Sequence, residues 1–209
     1  MAYLGTQPND VKKNTGLYTP SEILQLTKDG SWGGSLELIE EQTVSGSPTT
    51  INFINLANNS YDVYLVHISN LISTSQTQIS YRFSNDNGTT FEAGASDYKY
   101  AFFRIISNGG NLEKRSTGDD KIETDSYTNT STSNFNSYVY LYNLLDSSKY
   151  SFLTHHSSTN LTGNFRTTFG GGVYPTAETI NGFQIHSGQT LTSGTVKLYG
   201  VKQIWVLWD

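Results

Sequence analysis

Apolar and polar residues alternate in short runs along most of this chain, and glycine, asparagine, aspartate and serine separate the runs. A period of two places successive side chains on opposite faces of a strand. Ile79, Tyr81 and Phe83 alternate with Ser80, Arg82 and Ser84, the pattern of a half-exposed strand. Asn85-Asp86-Asn87-Gly88 then predicts a tight turn, and the chain returns near Phe91. Leu36, Leu38 and Glu40, set against Glu37, Ile39 and Glu41, open the β region. Over 61–69 both faces are apolar enough to be buried or half-buried. Further strands are predicted over 51–55, 98–106, 137–144, 150–156, 161–169, 180–186 and 195–206. Asn108-Gly109-Gly110-Asn111 closes one strand, and Gly170-Gly171-Gly172 reads as a turn or a tight subunit contact. Residues 112–136 carry charges and then a Ser/Thr/Asn run, which predicts a long loop with one edge strand around Ile122. About ten short strands with turn residues between them predict a sandwich or barrel.

One segment breaks the pattern. In Thr19-Pro20-Ser21-Glu22-Ile23-Leu24-Gln25-Leu26, Thr19 can cap the first turn and Glu22 can reach back to it. Pro20 falls at the first helical position, where its missing donor costs nothing. Asp29-Gly30 supplies a stop. A helix this short is unstable alone and needs something to pack on. The chain therefore divides into an extended arm with a short docking helix over 1–34 and a β domain over 35–209. Leu17, Ile23, Leu24, Leu26 and Trp32 are the apolar residues such an arm would present in assembly. At the other end, Ile204-Trp205-Val206-Leu207-Trp208 is apolar on both faces. Left exposed, a strand of that kind invites edge pairing, so Trp205 and Trp208 join the candidate assembly interface.

Composition narrows the function classes. Charged residues are 15% of the chain, below the usual quarter, so hydroxyls, amides or an assembly must cover the surface. The net charge is −5, and Lys12-Lys13 and Lys114-Arg115 are isolated basic pairs. Nucleic acid, whose phosphates demand a basic face, is not an expected partner. Cysteine is absent, which excludes a disulfide framework and a thiolate metal site. The opening Met1-Ala2-Tyr3-Leu4-Gly5 lacks the basic and apolar regions of a signal peptide. No stretch is long enough to span a bilayer, so membrane insertion is not expected.

The chemistry-bearing residues point away from catalysis. His155-His156 would place its rings on opposite faces of a strand, unable to share one metal. Asp119-Asp120, near Glu123 and Asp125, could serve as paired acids or oxygen ligands but lacks the spacing of a calcium loop, and reads as a solvated loop. No nucleophile elbow, phosphate loop or zinc-protease helix occurs. The expectation is no catalytic residue, no metal and no cofactor. Tyr138, Tyr140 and Tyr142 form a ladder on one strand face. That ladder is either ordinary cross-strand packing or a receptor- or glycan-binding surface, since tyrosine pairs a flat apolar body with a polar tip.

Three segments together carry a resemblance. They are Tyr81-Arg82-Phe83-Ser84-Asn85-Asp86-Asn87-Gly88-Thr89-Thr90-Phe91, then Ser193-Gly194-Thr195-Val196-Lys197-Leu198-Tyr199-Gly200-Val201, and the opening Gly16-Leu17-Tyr18-Thr19-Pro20-Ser21-Glu22 leading to Trp32-Gly33. In this order, the chain resembles tailed-phage virion structural proteins, small β-sandwich subunits of fibre, tail or head. The resemblance implies an all-β, jelly-roll-like antiparallel sandwich and a non-enzymatic virion subunit made in the host cytoplasm. It implies self-assembly into symmetric oligomers, and the expectation is a homo-oligomer, a trimer ahead of higher cyclic states, that meets other virion proteins. Tail or fibre is the expected position, because tyrosine faces and polar loops suit host attachment, with a host surface glycan as a further candidate partner. A head-decoration subunit and a lectin-like carbohydrate-binding module are the alternatives.

Overall fold

The computed structural model describes residues 19–21, 24, 36–58, 61–128, 134–161 and 163–201. The chain divides into two units, Met1–Leu36 and Glu37–Asp209. In the first, Pro20, Ser21 and Leu24 are helical, where the Thr19-Pro20 start predicts it. Thr19 Oγ1 lies 3.1 Å from Ser21 Oγ. Among the described residues, no helix is long and apolar enough to cross a membrane.

The rest is β structure. The strands are β1 (Leu36–Thr43), β2 (Thr50–Phe53), β3 (Val63–Ser73), β4 (Thr77–Ser84), β5 (Tyr98–Ile106), β6 (Asn111–Asp119), β7 (Ile122–Thr128), β8 (Phe135–Tyr142), β9 (Ser151–Leu161), β10 (Asn164–Tyr174), β11 (Gly182–His186) and β12 (Leu191–Val201). They form two antiparallel sheets packed as a sandwich. The large sheet runs β1-β12-β3-β8-β9-β10-β5-β6 and the small one β2-β11-β4-β7.

The strand order identifies the topology. Setting aside the pairs β5–β6 and β9–β10 leaves β1-β12-β3-β8 facing β2-β11-β4-β7, the order of an eight-stranded jelly roll. The two pairs are insertions, one between β4 and β7 and one between β8 and β11. Both extend the large sheet beyond β8, in the order β9-β10-β5-β6.

The core lies where the inward positions of the two sheets meet. Phe53, Tyr81, Phe83 and Phe183 of the small sheet and Tyr64, Val66, Ile68, Val139 and Leu141 of the large one are buried. Tyr81 and Phe183 stack with centroids 5.5 Å apart. Tyr98, fully buried, accepts the Phe83 N–H at 2.8 Å and donates to the Glu92 carbonyl at 3.1 Å. A polar tip is tolerated in such a core only when paired in this way.

Three expectations are corrected. Residues 112–136 are not a long loop: β6 and β7 occupy most of it, and β8 begins at Phe135. Several of its charges find partners on neighbouring strands, while Glu113 and Arg115 stay exposed on β6. Arg104 of β5 pairs with Asp125 of β7, and Lys114 of β6 with Glu123 of β7. The strand expected around Ile122 is β7, at the edge of the small sheet. Gly170-Gly171-Gly172 is not a turn but lies within β10. A Cβ on Gly172 would come within 2.7 Å of Ile122 Cγ2, so glycine lets β10 approach β7 closely. The last strand starts at Leu191, four residues earlier than the pattern suggests.

Candidate functional site

The outer face of the large sheet breaks the usual rule of polar side chains toward water. Strand registers place Lys197, His67, Tyr138, His156, Phe169, Phe103 and Glu113 opposite one another in one continuous rung, across β12, β3, β8, β9, β10, β5 and β6. Tyr138 is 45% exposed and Phe169 47%. Phe103 and Phe169 approach with centroids 5.8 Å apart. One rung over, Tyr140, Thr154, Gly171 and Ala101 stand side by side, and the next brings Tyr142, Phe152 and Val173. Phe152, Phe165 and Ile105 are also exposed.

Small residues between aromatic rungs make a trough. One hollow of about 610 Å³ is lined by Tyr138, Tyr140, Thr154, His156 and Phe169. A second, of about 410 Å³, shares Thr154 and continues past Ala101, Phe152 and Gly171 to Lys99. A Cβ on Gly171 would meet the Leu153 carbonyl oxygen at 2.5 Å, so no side chain can fill the floor there. Much of this surface lies on the inserted strands, outside the eight-stranded frame.

Hydrogen bonding sets the polar tips. Thr167 donates its hydroxyl proton to the Ser157 carbonyl at 3.1 Å. It can therefore only accept from His156 Nε2, 2.9 Å away, which makes Nε2 the protonated nitrogen. Nδ1 faces the Tyr138 hydroxyl at 3.1 Å. The rings of Tyr138 and His156 meet edge to face at 5.4 Å, and Tyr140 stacks on Tyr142 at 6.4 Å. The Tyr142 hydroxyl lies 3.2 Å from Thr154 Oγ1.

Charge is confined to the borders. On the outward positions of β8, β9, β10 and the middle of β5, from Tyr138 to Ile105, no Asp, Glu, Lys or Arg occurs. Lys99, Glu113 and Arg115 line one border, and Lys197, paired with Glu41 at 3.1 Å, lies on the other.

The remaining candidates fall as follows. Tyr138, Tyr140 and Tyr142 are brought together as a ladder, and Leu24 is exposed on its helix. Leu17, Ile23, Leu26, Trp32, Trp205 and Trp208 lie outside the described residues. The acidic group at 119–125 is engaged rather than a freely solvated loop. Asp120 pairs with Arg82 and Lys121; burial alone would raise its pKa, but hydrogen bonds with Lys121 and Asp119 and the charges of Lys121 and Arg82 hold it at about 2. The Tyr100 hydroxyl lies 3.1 Å from a carboxylate oxygen of both Asp119 and Glu123. Its pKa is raised by burial and by these two negative neighbours. Among the described residues, no group of three or more His, Asp or Glu side chains is placed to hold a metal ion. His155 and His156 do point to opposite sides: His156 is exposed and His155 is buried.

Phe103, Phe152, Phe165 and Phe169 are the site residues the alternation did not reveal. Phe152-Leu153 and Phe102-Phe103 set apolar side chains on both faces, so the pattern does not say which face is outer. In comparisons with known proteins, no family model, no curated protein and no solved structure matches the chain.

Proposed function

We propose that this chain is a non-enzymatic structural subunit of a bacteriophage virion, tail- or fibre-associated, which assembles with copies of itself and with other virion proteins and contributes to host attachment. The observation that carries the reading is the outer face of the large sheet, an aromatic, charge-free field bordered by charges. Protein interfaces have that anatomy, with aromatic centres and polar rims, and apolar patches of this kind mark interaction surfaces. The phage setting is supported by the resemblance of the three segments named above. The tyrosine face supports a tail or fibre position; residues 112–136 offer no long polar loop in its support, because 111–119 and 122–128 are strands. Light scattering on the purified chain at micromolar concentration tests the assembly: a homo-oligomer is expected, and a stable monomer overturns it. Imaging particles that carry a labelled subunit separates tail or fibre from head decoration.

A carbohydrate-binding module is the second reading, favoured by one observation. The tyrosine ladder borders a hollow whose rim carries the Tyr138 hydroxyl, His156 and Thr154. Aromatic faces take the apolar side of a sugar ring while hydroxyl and imidazole groups bind its edge. Binding on a glycan array that Tyr140→Ala abolishes would establish this reading.

A further inference from the structure

We propose that the outer face of the large sheet seats the same face of a second copy, related by a two-fold axis through His156. This deepens the reading above and rests on it at one point, that the chain assembles with itself.

The rung through His156 is self-complementary. Its order is Lys197, His67, Tyr138, His156, Phe169, Phe103, Glu113, with His156 fourth of seven. A two-fold axis at its centre brings the Lys197 border of each copy over the Glu113 border of the other. Tyr138 and His67 of one copy then meet Phe169 and Phe103 of the other. The surface a C₂ contact needs is self-complementary in just this sense. Two opposite charges at the rims fix the direction, and the five residues between them in each copy fill the middle. The chain carries a net charge of −5, which repels copies from one another. The face with no carboxylate at its centre is where that repulsion is least.

The dimensions agree. Seven strands spaced by about 4.8 Å cover about 29 Å, and the strand length from Phe165 to Val173 adds about 26 Å in the other direction. The product, about 750 Å², is close to the roughly 800 Å² that each partner contributes to a standard interface. A single sugar unit would cover a small part of that field. A two-fold contact yields a dimer or an even-numbered assembly.

The test is sedimentation and light scattering on the full chain. Phe169→Glu is expected to raise the dissociation constant of the contact at least about 100-fold, as losing a central aromatic anchor does. Phe165→Glu, at a 52% exposed position, is the second variant should the first fail to fold. Lys197→Glu and Glu113→Lys are each expected to weaken the contact about tenfold, and the two together to return it to within about threefold of the starting value. An oligomer indifferent to Phe169→Glu and Phe165→Glu overturns the proposed seat and leaves the structural-subunit reading in place. A double charge reversal as weak as its parents overturns the two-fold arrangement. A monomeric starting protein overturns both this inference and the reading beneath it.

Discussion

His155 and Tyr81 face each other across the interior of the sandwich, with ring centroids 6.5 Å apart, and neither ring nitrogen of His155 closes a hydrogen bond. Ser137, whose hydroxyl lies toward Tyr81, spends its proton on the His156 carbonyl 2.9 Å away. Burial, with a smaller contribution from His156, lowers the His155 pKa to about 4. The folded state therefore keeps this imidazole neutral, while the unfolded chain takes up a proton near pH 6.5.

Stability from His155 is complete above about pH 6.5 and declines as pH falls toward 4, because the unfolded state binds the extra proton across that window. The total at stake is about 3 kcal/mol. Urea midpoints at pH 7, 5.5 and 4 should fall in that order. His155→Leu should flatten this decline and gain about 1 kcal/mol at pH 7, since it removes two unpaired buried nitrogens. Equal acid declines in the two proteins would contradict the assignment.

Gly172→Ala places a methyl group within 2.7 Å of Ile122 Cγ2, between β10 and β7. Overpacking of this kind costs about 1–3 kcal/mol. Shortening the opposing side chain with Ile122→Ala, which removes the Cγ2 atom, should recover part of the loss in the double variant relative to the sum of the two single losses, which denaturant titration of the four proteins would read. Additive losses would mean that the glycine serves something other than close approach.

Arg104 and Asp125 form a largely buried ion pair between β5 and β7. Arg104→Met leaves the carboxylate buried without its charge partner and should cost about 3 kcal/mol. Adding Asp125→Asn removes the stranded charge and should restore more than half of it. Asparagine also suits the φ of +48° at this position. Thermal unfolding of single and double variants is the measurement, and a double variant as unstable as Arg104→Met alone would refute the pairing.

The Tyr138–His156–Thr167 chain makes a prediction that stability cannot read. With Thr167 already donating to Ser157, His156 must hold its proton on Nε2. Long-range proton–nitrogen NMR should show that tautomer in the starting protein. Thr167→Val removes the acceptor and should yield a mixture of the two tautomers, with little change in unfolding temperature at a half-buried surface position. An unchanged single tautomer would remove Thr167 from the account.

The alternation of Ile79, Tyr81 and Phe83 with Ser80, Arg82 and Ser84 was enough to establish the strand class, because one buried face imposes a period of two whatever lies beyond it. The turn at Asn87-Gly88 was legible for a similar local reason: both residues have positive φ, a conformation asparagine and glycine adopt most readily. The tyrosine ladder was legible too, since residues two apart on a strand share a face. The strands over 111–128 were not, because Lys114, Glu123 and Asp125 look solvated until a partner sheet brings their counter-charges.

What the chain's order of residues determined by itself was therefore local: β structure, turn positions, the absence of thiols, and a ladder of three tyrosines. Tertiary structure decided everything that depends on which strands become neighbours. Pairing β9 with β8 and β10 put His156 beside Tyr138 and Phe169, residues 18 and 13 positions away in the chain. It also settled that Phe152 looks outward and Leu153 inward, a choice that adjacent apolar residues leave open. Side-chain alternation fixes only that two neighbours face opposite ways; burial against a second sheet selects which of them faces the core.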